Sequence, residues 1–171
     1  MQISYVTIET LSPVVVTAPG SSQLLTASSE SFSGTLLRGV LAGKYVSDHN
    51  LGTKAHEDEN FIRYFFSDLR FVTANPTADG KRAMVLPLSL MKAKAVSGDK
   101  PILDLLSDQG QAGYKSLKGL SVVDGGTIRP VSVKSSMAFH MSRSGDNERL
   151  SGHSQDGKVY TYESIDAGQF F

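Results

Sequence analysis

The sequence predicts an α+β fold, in which an antiparallel sheet is covered by helices on one face. Three observations carry this prediction. Segments near both ends alternate with period two, as half-buried strands do. Two segments between residues 33 and 69 instead space their apolar side chains by three and four, the helical period. The resulting order of strand, helix, helix, strand, strand, strand suits a sheet with its helices gathered on one side.

Each element has its own warrant. From Ile3 to Thr17, Ile3, Tyr5 and Thr7 point one way and Ser4, Val6 and Ile8 the other. The β-branched run Val14-Val15-Val16 follows, and Pro13 marks an edge or a kink. Residues 18–33 open on Ala18-Pro19-Gly20-Ser21-Ser22, are rich in serine and read as loop. Ser33 is a good N-cap for a helix whose Leu36, Leu37, Val40 and Leu41 share one arc. Three glycines in that helix, Gly34, Gly39 and Gly43, cost it roughly 1 kcal/mol each. They imply a close approach to the backbone, by another chain segment or by a ligand.

Residues 48–60 are polar and read as loop, with Glu57-Asp58-Glu59 as the acidic first turn of a second helix. Phe61, Phe65 and Leu69 give that helix an apolar stripe, expected in the core. Leu69–Thr73 reads as a strand, and Asp79-Gly80 as a tight turn leading into Met84–Leu88. Residues 97–127 lack periodicity and read as a loop-rich insertion with one short helix near Ile102–Leu106. Val131–Phe139 and Lys158–Ile165 alternate and read as two strands. A polar connection from Arg143 to Gly157 makes them a long hairpin.

Composition bounds the function. The chain has 171 residues, enough for one sizeable core, and 40% of them are hydrophobic, which excludes wholesale disorder. Lys and Arg number 17, as do Asp and Glu, so bulk charge alone does not hold this protein to a polyanion. The cations are nevertheless uneven. Residues 81–100 hold Lys81, Arg82, Lys92, Lys94 and Lys100 against Asp99 alone. Residues 129–158 hold five cations against three carboxylates, together with His140 and His153. Basic groups beside Tyr160 and Tyr162 suit phosphate neutralisation combined with base stacking.

The absence of cysteine excludes disulfides, thiolate zinc sites and cysteine nucleophiles, and points to the cytoplasm. The sequence has neither a signal-peptide pattern nor the roughly 18 apolar residues of a spanning helix, so no membrane partner is expected. His49, His56, His140 and His153 are too scattered for a metal site, and no cofactor is expected. His140 or His153 could serve as a general base in RNA cleavage, or simply stack on a base. Phosphate-loop, dinucleotide and nucleophile-elbow motifs do not occur.

Three stretches together resemble a known family. Ser31-Phe32-Ser33-Gly34-Thr35-Leu36-Leu37-Arg38-Gly39 is similar to the helix start of the RAMP superfamily of CRISPR effector proteins, without that motif's proline. Leu69-Arg70-Phe71 and Leu86-Pro87-Leu88-Ser89-Leu90, with Lys92, resemble the Cas five-type subunit of type III-D systems. So does the C-terminal third, through His140, Arg143, Arg149, Gly152, Asp156-Gly157-Lys158-Val159-Tyr160, Tyr162-Glu163 and Gly168-Gln169-Phe170. The resemblance spans residues 31–171. It ends where type III-D relatives continue into a second half, and it implies either such an N-terminal half or the reduced subunit of a type VII system.

The resemblance implies a single ferredoxin-like, RNA-recognition-type domain over 1–171, with a hairpin thumb at about 140–158. It implies a subunit that caps the 5′ repeat-derived handle of CRISPR RNA and seats the first repeating RAMP backbone subunit. A separate nuclease would cut. The loop at residues 18–33, where target-cutting relatives carry an aspartate, holds only Glu30, which argues for a non-catalytic role. The expected RNA contacts are Ser33, Gly34, Arg38, Lys44, Tyr45, Lys92 and Lys94, with His140, Arg143, Arg149 and His153 on the thumb. Two alternatives stay open: a metal-independent endoribonuclease that matures CRISPR RNA, and a general single-stranded RNA-binding module.

Overall fold

A computed structural model describes residues 3–22, 25–94, 102–109, 112–142, 146–152 and 159–171. The fold is α+β, with small, mostly antiparallel sheets and few helices. In chain order, β1 is Leu25–Thr26 and α1 is Gly34–Asp48. A 3-10 turn at Gly52–Glu57, α2 at Glu59–Ile62 and a π-helical turn at Arg63–Asp68 follow. Next come β2 (Thr77–Ala78), β3 (Lys81–Arg82), β4 (Met84–Val85), β5 (Leu90–Ala93), β6 (Leu103–Asp104) and β7 (Tyr114–Ser116). Then β8 is Leu120–Asp124, β9 Thr127–Val131, β10 Ser135–Met141, α3 Asp146–Ser151 and β11 Val159–Ile165. Met1–Ala74 with Val133–Phe171 forms one compact unit, and Asn75–Ser132 forms another.

In the first unit β11 is central. It pairs with β10 in an antiparallel ladder from Ser135↔Ile165 to Met141↔Val159. On its other edge it pairs in parallel with β1, through Leu25↔Thr161 and Thr26↔Tyr162. That short strand lies inside the stretch expected to be loop. The strand expected over Ile3–Thr17 does not form as such: the segment makes isolated bridges at Glu9, Val14 and Thr17, and Ile3, Tyr5 and Val6 are exposed. Ile8 and Phe171 exchange both backbone hydrogen bonds, as do Val14 and Ile165, and one antiparallel register serves both pairs. The ladder lapses around Pro13, which has no N–H to give. Phe32, Ile165 and Phe171 are the buried centre, with Ile8, Val14, Val16, Leu37, Ala74 and Val133 packed around them.

α1 begins as the sequence predicts. Ser33 is its N-cap, and the Ser33 Oγ accepts the Leu36 N–H at 3.2 Å. The expected apolar arc is not covered within the described residues. Only Leu37 packs on the core, while Val40 remains 63% exposed. The second helix also departs from expectation. Asp58 caps it, accepting the Phe61 N–H at 2.6 Å, but the α-helix lasts one turn and then widens into the π-helical turn. Phe65 is buried there, whereas Leu69 lies exposed. The expected loop before it contains the 3-10 turn.

Leu69–Thr73 is not a strand. Its backbone at Phe71–Val72 lies against Gly34 at the start of α1, and the adjoining Ala74 makes an isolated bridge to Phe32. In the second unit the Asp79-Gly80 turn is as predicted. Both residues have positive φ (52° and 71°), the geometry that joins β2 to β3 in two residues. Two further sheets have the orders β4-β8-β9 and β6-β5-β7. Ala83, Leu120 and Val122 are buried, with Ala78 and Val131 against them. The stretch read as a loop-rich insertion therefore holds strands, and the short helix near Ile102–Leu106 does not form. Asp104 accepts the Leu106 N–H at 3.1 Å, and this side-chain bond turns the backbone away from the helical path.

Candidate nucleic-acid interface

The β10–β11 ladder sorts its side chains by period two. Ser136, Ala138 and His140 share one face with Tyr160, Tyr162 and Ser164. On this face the His140 and Tyr160 rings stack at 5.4 Å between centroids, 11° from parallel. Tyr162 meets both rings edge-on, each at 5.4 Å. Tyr162 is 39% exposed and His140 is also exposed, so the cluster presents ring surface to solvent.

The opposite face is apolar along β10 but carries Thr161 and Glu163 on β11. Met137, Phe139 and Met141 on β10 stand beside Val159 on β11, and Phe139 is 77% exposed. Every residue of β10 is exposed on both faces. The ladder thus rises from the buried Ile165 with one aromatic–imidazole face and one thioether–phenyl face, both uncovered among the described residues.

Glu163 anchors the base of this ladder. Its carboxylate accepts the Ser135 hydroxyl at 2.7 Å and the Ser28 N–H at 3.0 Å. Those bonds favour the ionised form and hold the carboxyl below its ordinary range, the serine hydroxyl contributing most. Glu163→Ala should therefore cost about 1–2 kcal/mol at neutral pH in urea unfolding. Because the folded pKa is depressed, this stabilisation is present above the unfolded value of about 4.3 and disappears as pH falls through the folded one. Wild type and variant should converge in acid, and a gap unchanged from neutral pH into strong acid would contradict the assignment.

The other expected contacts are placed as follows. Tyr45 is half-buried on α1, stacked on His49 at 3.9 Å and edge-on to Phe65 at 5.7 Å. Burial, then the Asp58 carboxylate 3.4 Å from its hydroxyl, raises its pKa. It joins α1 to the turns at 59–68. Lys44 pairs with Asp48 at 3.0 Å, and both line a shallow groove of about 310 Å³ with Leu41, Tyr45, Phe65 and Phe71. The Arg38 guanidinium lies 5.8 Å from the Phe66 ring centre. The close approach expected at the Gly-rich helix is made by the chain itself: a methyl on Gly34 would collide with the Phe71 carbonyl. Gly39 and Gly43 face open space.

Lys92 lies on β5 and Lys94 directly after it, in the second unit. Arg149 is exposed in the last turn of α3. Arg143 and His153 lie outside the described residues. Tyr160 and Tyr162 join the candidate site through their contacts with His140. Alternation alone places both tyrosines on one face, but only the pairing register adds the histidine. Among the described residues no group of three or more His, Asp or Glu side chains is placed to hold a metal, and no helix is long and apolar enough to cross a membrane. Searches against protein-family models and against curated proteins gave no match to this chain.

Proposed function

We propose that this chain is a non-catalytic RNA-binding subunit of a CRISPR effector complex. In this reading it caps the 5′ repeat-derived handle of the guide RNA and seats the first repeating backbone subunit. The observation that carries the proposal is the two-faced β10–β11 ladder. Its His140–Tyr160–Tyr162 face offers flat rings on which splayed bases can stack, a mode that is largely indifferent to base identity. Its Met137–Phe139–Met141 face offers apolar area to a protein neighbour. A strand pair serving both would be the thumb of a ferredoxin-like RAMP domain, as the motif resemblance implies. Contacts from Arg38 on α1 and Arg149 on α3 would add phosphate neutralisation, and Lys44 would do so on leaving Asp48. A separate nuclease subunit would supply cleavage.

The proposal is tested by expressing the chain with its backbone subunit and a CRISPR array, then sequencing the RNA that co-purifies. RNA of one defined 5′ end is the expected result. A mixture of unrelated cellular RNA would overturn handle capping and leave the general RNA-binding module. Cleavage of repeat RNA by the purified chain, lost in His140→Ala, would overturn the non-catalytic assignment.

A further inference from the structure

Unit two carries cations of two kinds. Lys81 pairs with Asp124 at 2.7 Å and Arg129 with Asp79 at 2.8 Å, so each has a carboxylate partner. Lys92, Lys94 and Lys115 differ. Lys94 follows β5 directly, where its N–H bonds the Gly113 carbonyl and continues the ladder, so it shares a face with Lys92, about 6.7 Å away along the chain. Lys115 on β7 stands directly opposite Lys92 in the antiparallel register, which puts it on that same face. All three are exposed, and none has an ion-pair partner among the described residues. The carboxylate nearest in register is Asp104, opposite Leu90 on β6. Its Oδ1 is already engaged by the Leu106 N–H.

Like charges directly opposite in a sheet are destabilising. A sheet that places Lys92 across from Lys115 gains nothing from them as an isolated fold. The cost is offset when a polyanion lies across the face. The other face of these strands carries Met91, Ala93, Leu103 and Tyr114, all half-buried, whereas Lys92, Lys94 and Lys115 are exposed beside half-buried Leu90 and Asp104, so among the described residues the lysines are open to a ligand. It carries no aromatic ring for base stacking, and lysine is a point charge that binds phosphate without reading bases.

We propose that Lys92, Lys94 and Lys115 form a track for the phosphate backbone of single-stranded RNA, in addition to the ring cluster on β10–β11. Lys115 is the residue that sequence motifs do not single out. The proposal rests on the RNA-binding reading and adds a second, sequence-independent contact to it.

The test is the salt dependence of oligouridylate binding by the full chain. For single strands, each phosphate contact contributes about 0.7 to the slope of log affinity against log salt. The variant Lys92→Gln/Lys94→Gln/Lys115→Gln should flatten that slope by about 2, and Lys115→Gln alone by about 0.7. Lys81→Gln, which removes a cation already paired, should leave it unchanged. Lys115→Gln should also raise the melting temperature slightly, because it relieves the repulsion with Lys92. An unchanged slope in the triple variant, with wild type binding oligouridylate, would overturn the track and leave the RNA-binding reading intact. So would equal flattening by Lys81→Gln. Wild-type protein that binds no oligouridylate would overturn both.

Discussion

Replacing Tyr160 and Tyr162 with alanine should weaken RNA binding more than any other pair of substitutions on the first unit. A base stacked on an aromatic side chain is worth about 1–3 kcal/mol, so each ring should carry about a 5- to 150-fold share of the affinity. The two rings touch each other and both touch His140, so their effects should not add. Tyr160→Ala alone should loosen the stack and lower the contribution of Tyr162. Phenylalanine at either position keeps the flat ring and should preserve most of the affinity. Phe139→Ala lies on the opposite face and serves as the contrast: it should leave the affinity of the isolated chain for RNA unchanged while weakening assembly with a protein neighbour. If Tyr160→Ala/Tyr162→Ala bound RNA as tightly as wild type, the ring face would not be the interface. Since both residues are partly exposed, the substitutions should cost little stability, and circular dichroism separates a binding loss from unfolding.

The second large effect is on stability and comes from glycines of one helix behaving oppositely. Gly34→Ala places a methyl against the Phe71 carbonyl. Neither partner can yield easily, because both are backbone, and Gly34 follows the Ser33 cap directly. Overpacking of this kind costs about 3 kcal/mol. It should displace residues 71–72 from the start of α1. Gly43→Ala meets no atom within 4 Å and replaces a glycine in a helix interior. It should stabilise the protein by about 0.8–1.0 kcal/mol. Urea unfolding of the two variants reads both signs in one experiment. Equal effects would mean that Gly34 is not held against Phe71.

These glycines also mark how far the sequence could be read. Their presence signals close approach, but the choice between chain and ligand depends on where Phe71–Val72 lies, which no local pattern encodes. Local chemistry does fix the caps: Ser33 and Asp58 start their helices because each side chain bonds an N–H three residues on. It also fixes the Asp79-Gly80 turn, where both residues take positive φ. The alternation of Val159–Ile165 makes a strand, as expected, because Ile165 must be buried while the tyrosines face outward.

Tertiary pairing decided the rest. Leu69–Thr73 has strand composition, yet Gly34 receives its backbone, and the adjoining Ala74 makes an isolated bridge to Phe32. Residues 103–124 look like loop because their strands are two to five residues long, too short to show a period. The site divided in the same way. His140 and the tyrosines are visible as residue types, but their stack is a product of the His140↔Tyr160 register. Lys115 was invisible as a partner of Lys92 until β5 and β7 were paired.

The central claim is that this chain holds the 5′ handle of a guide RNA, and equilibrium binding tests it most directly. The purified chain is titrated with a labelled repeat handle carrying a free 5′ end, and with the same handle embedded inside a longer transcript. The account predicts tight binding of the free-ended handle, weaker binding of the embedded one, and loss of both in Tyr160→Ala/Tyr162→Ala. Equal affinity for the two RNAs, or binding that survives loss of the rings, would contradict it.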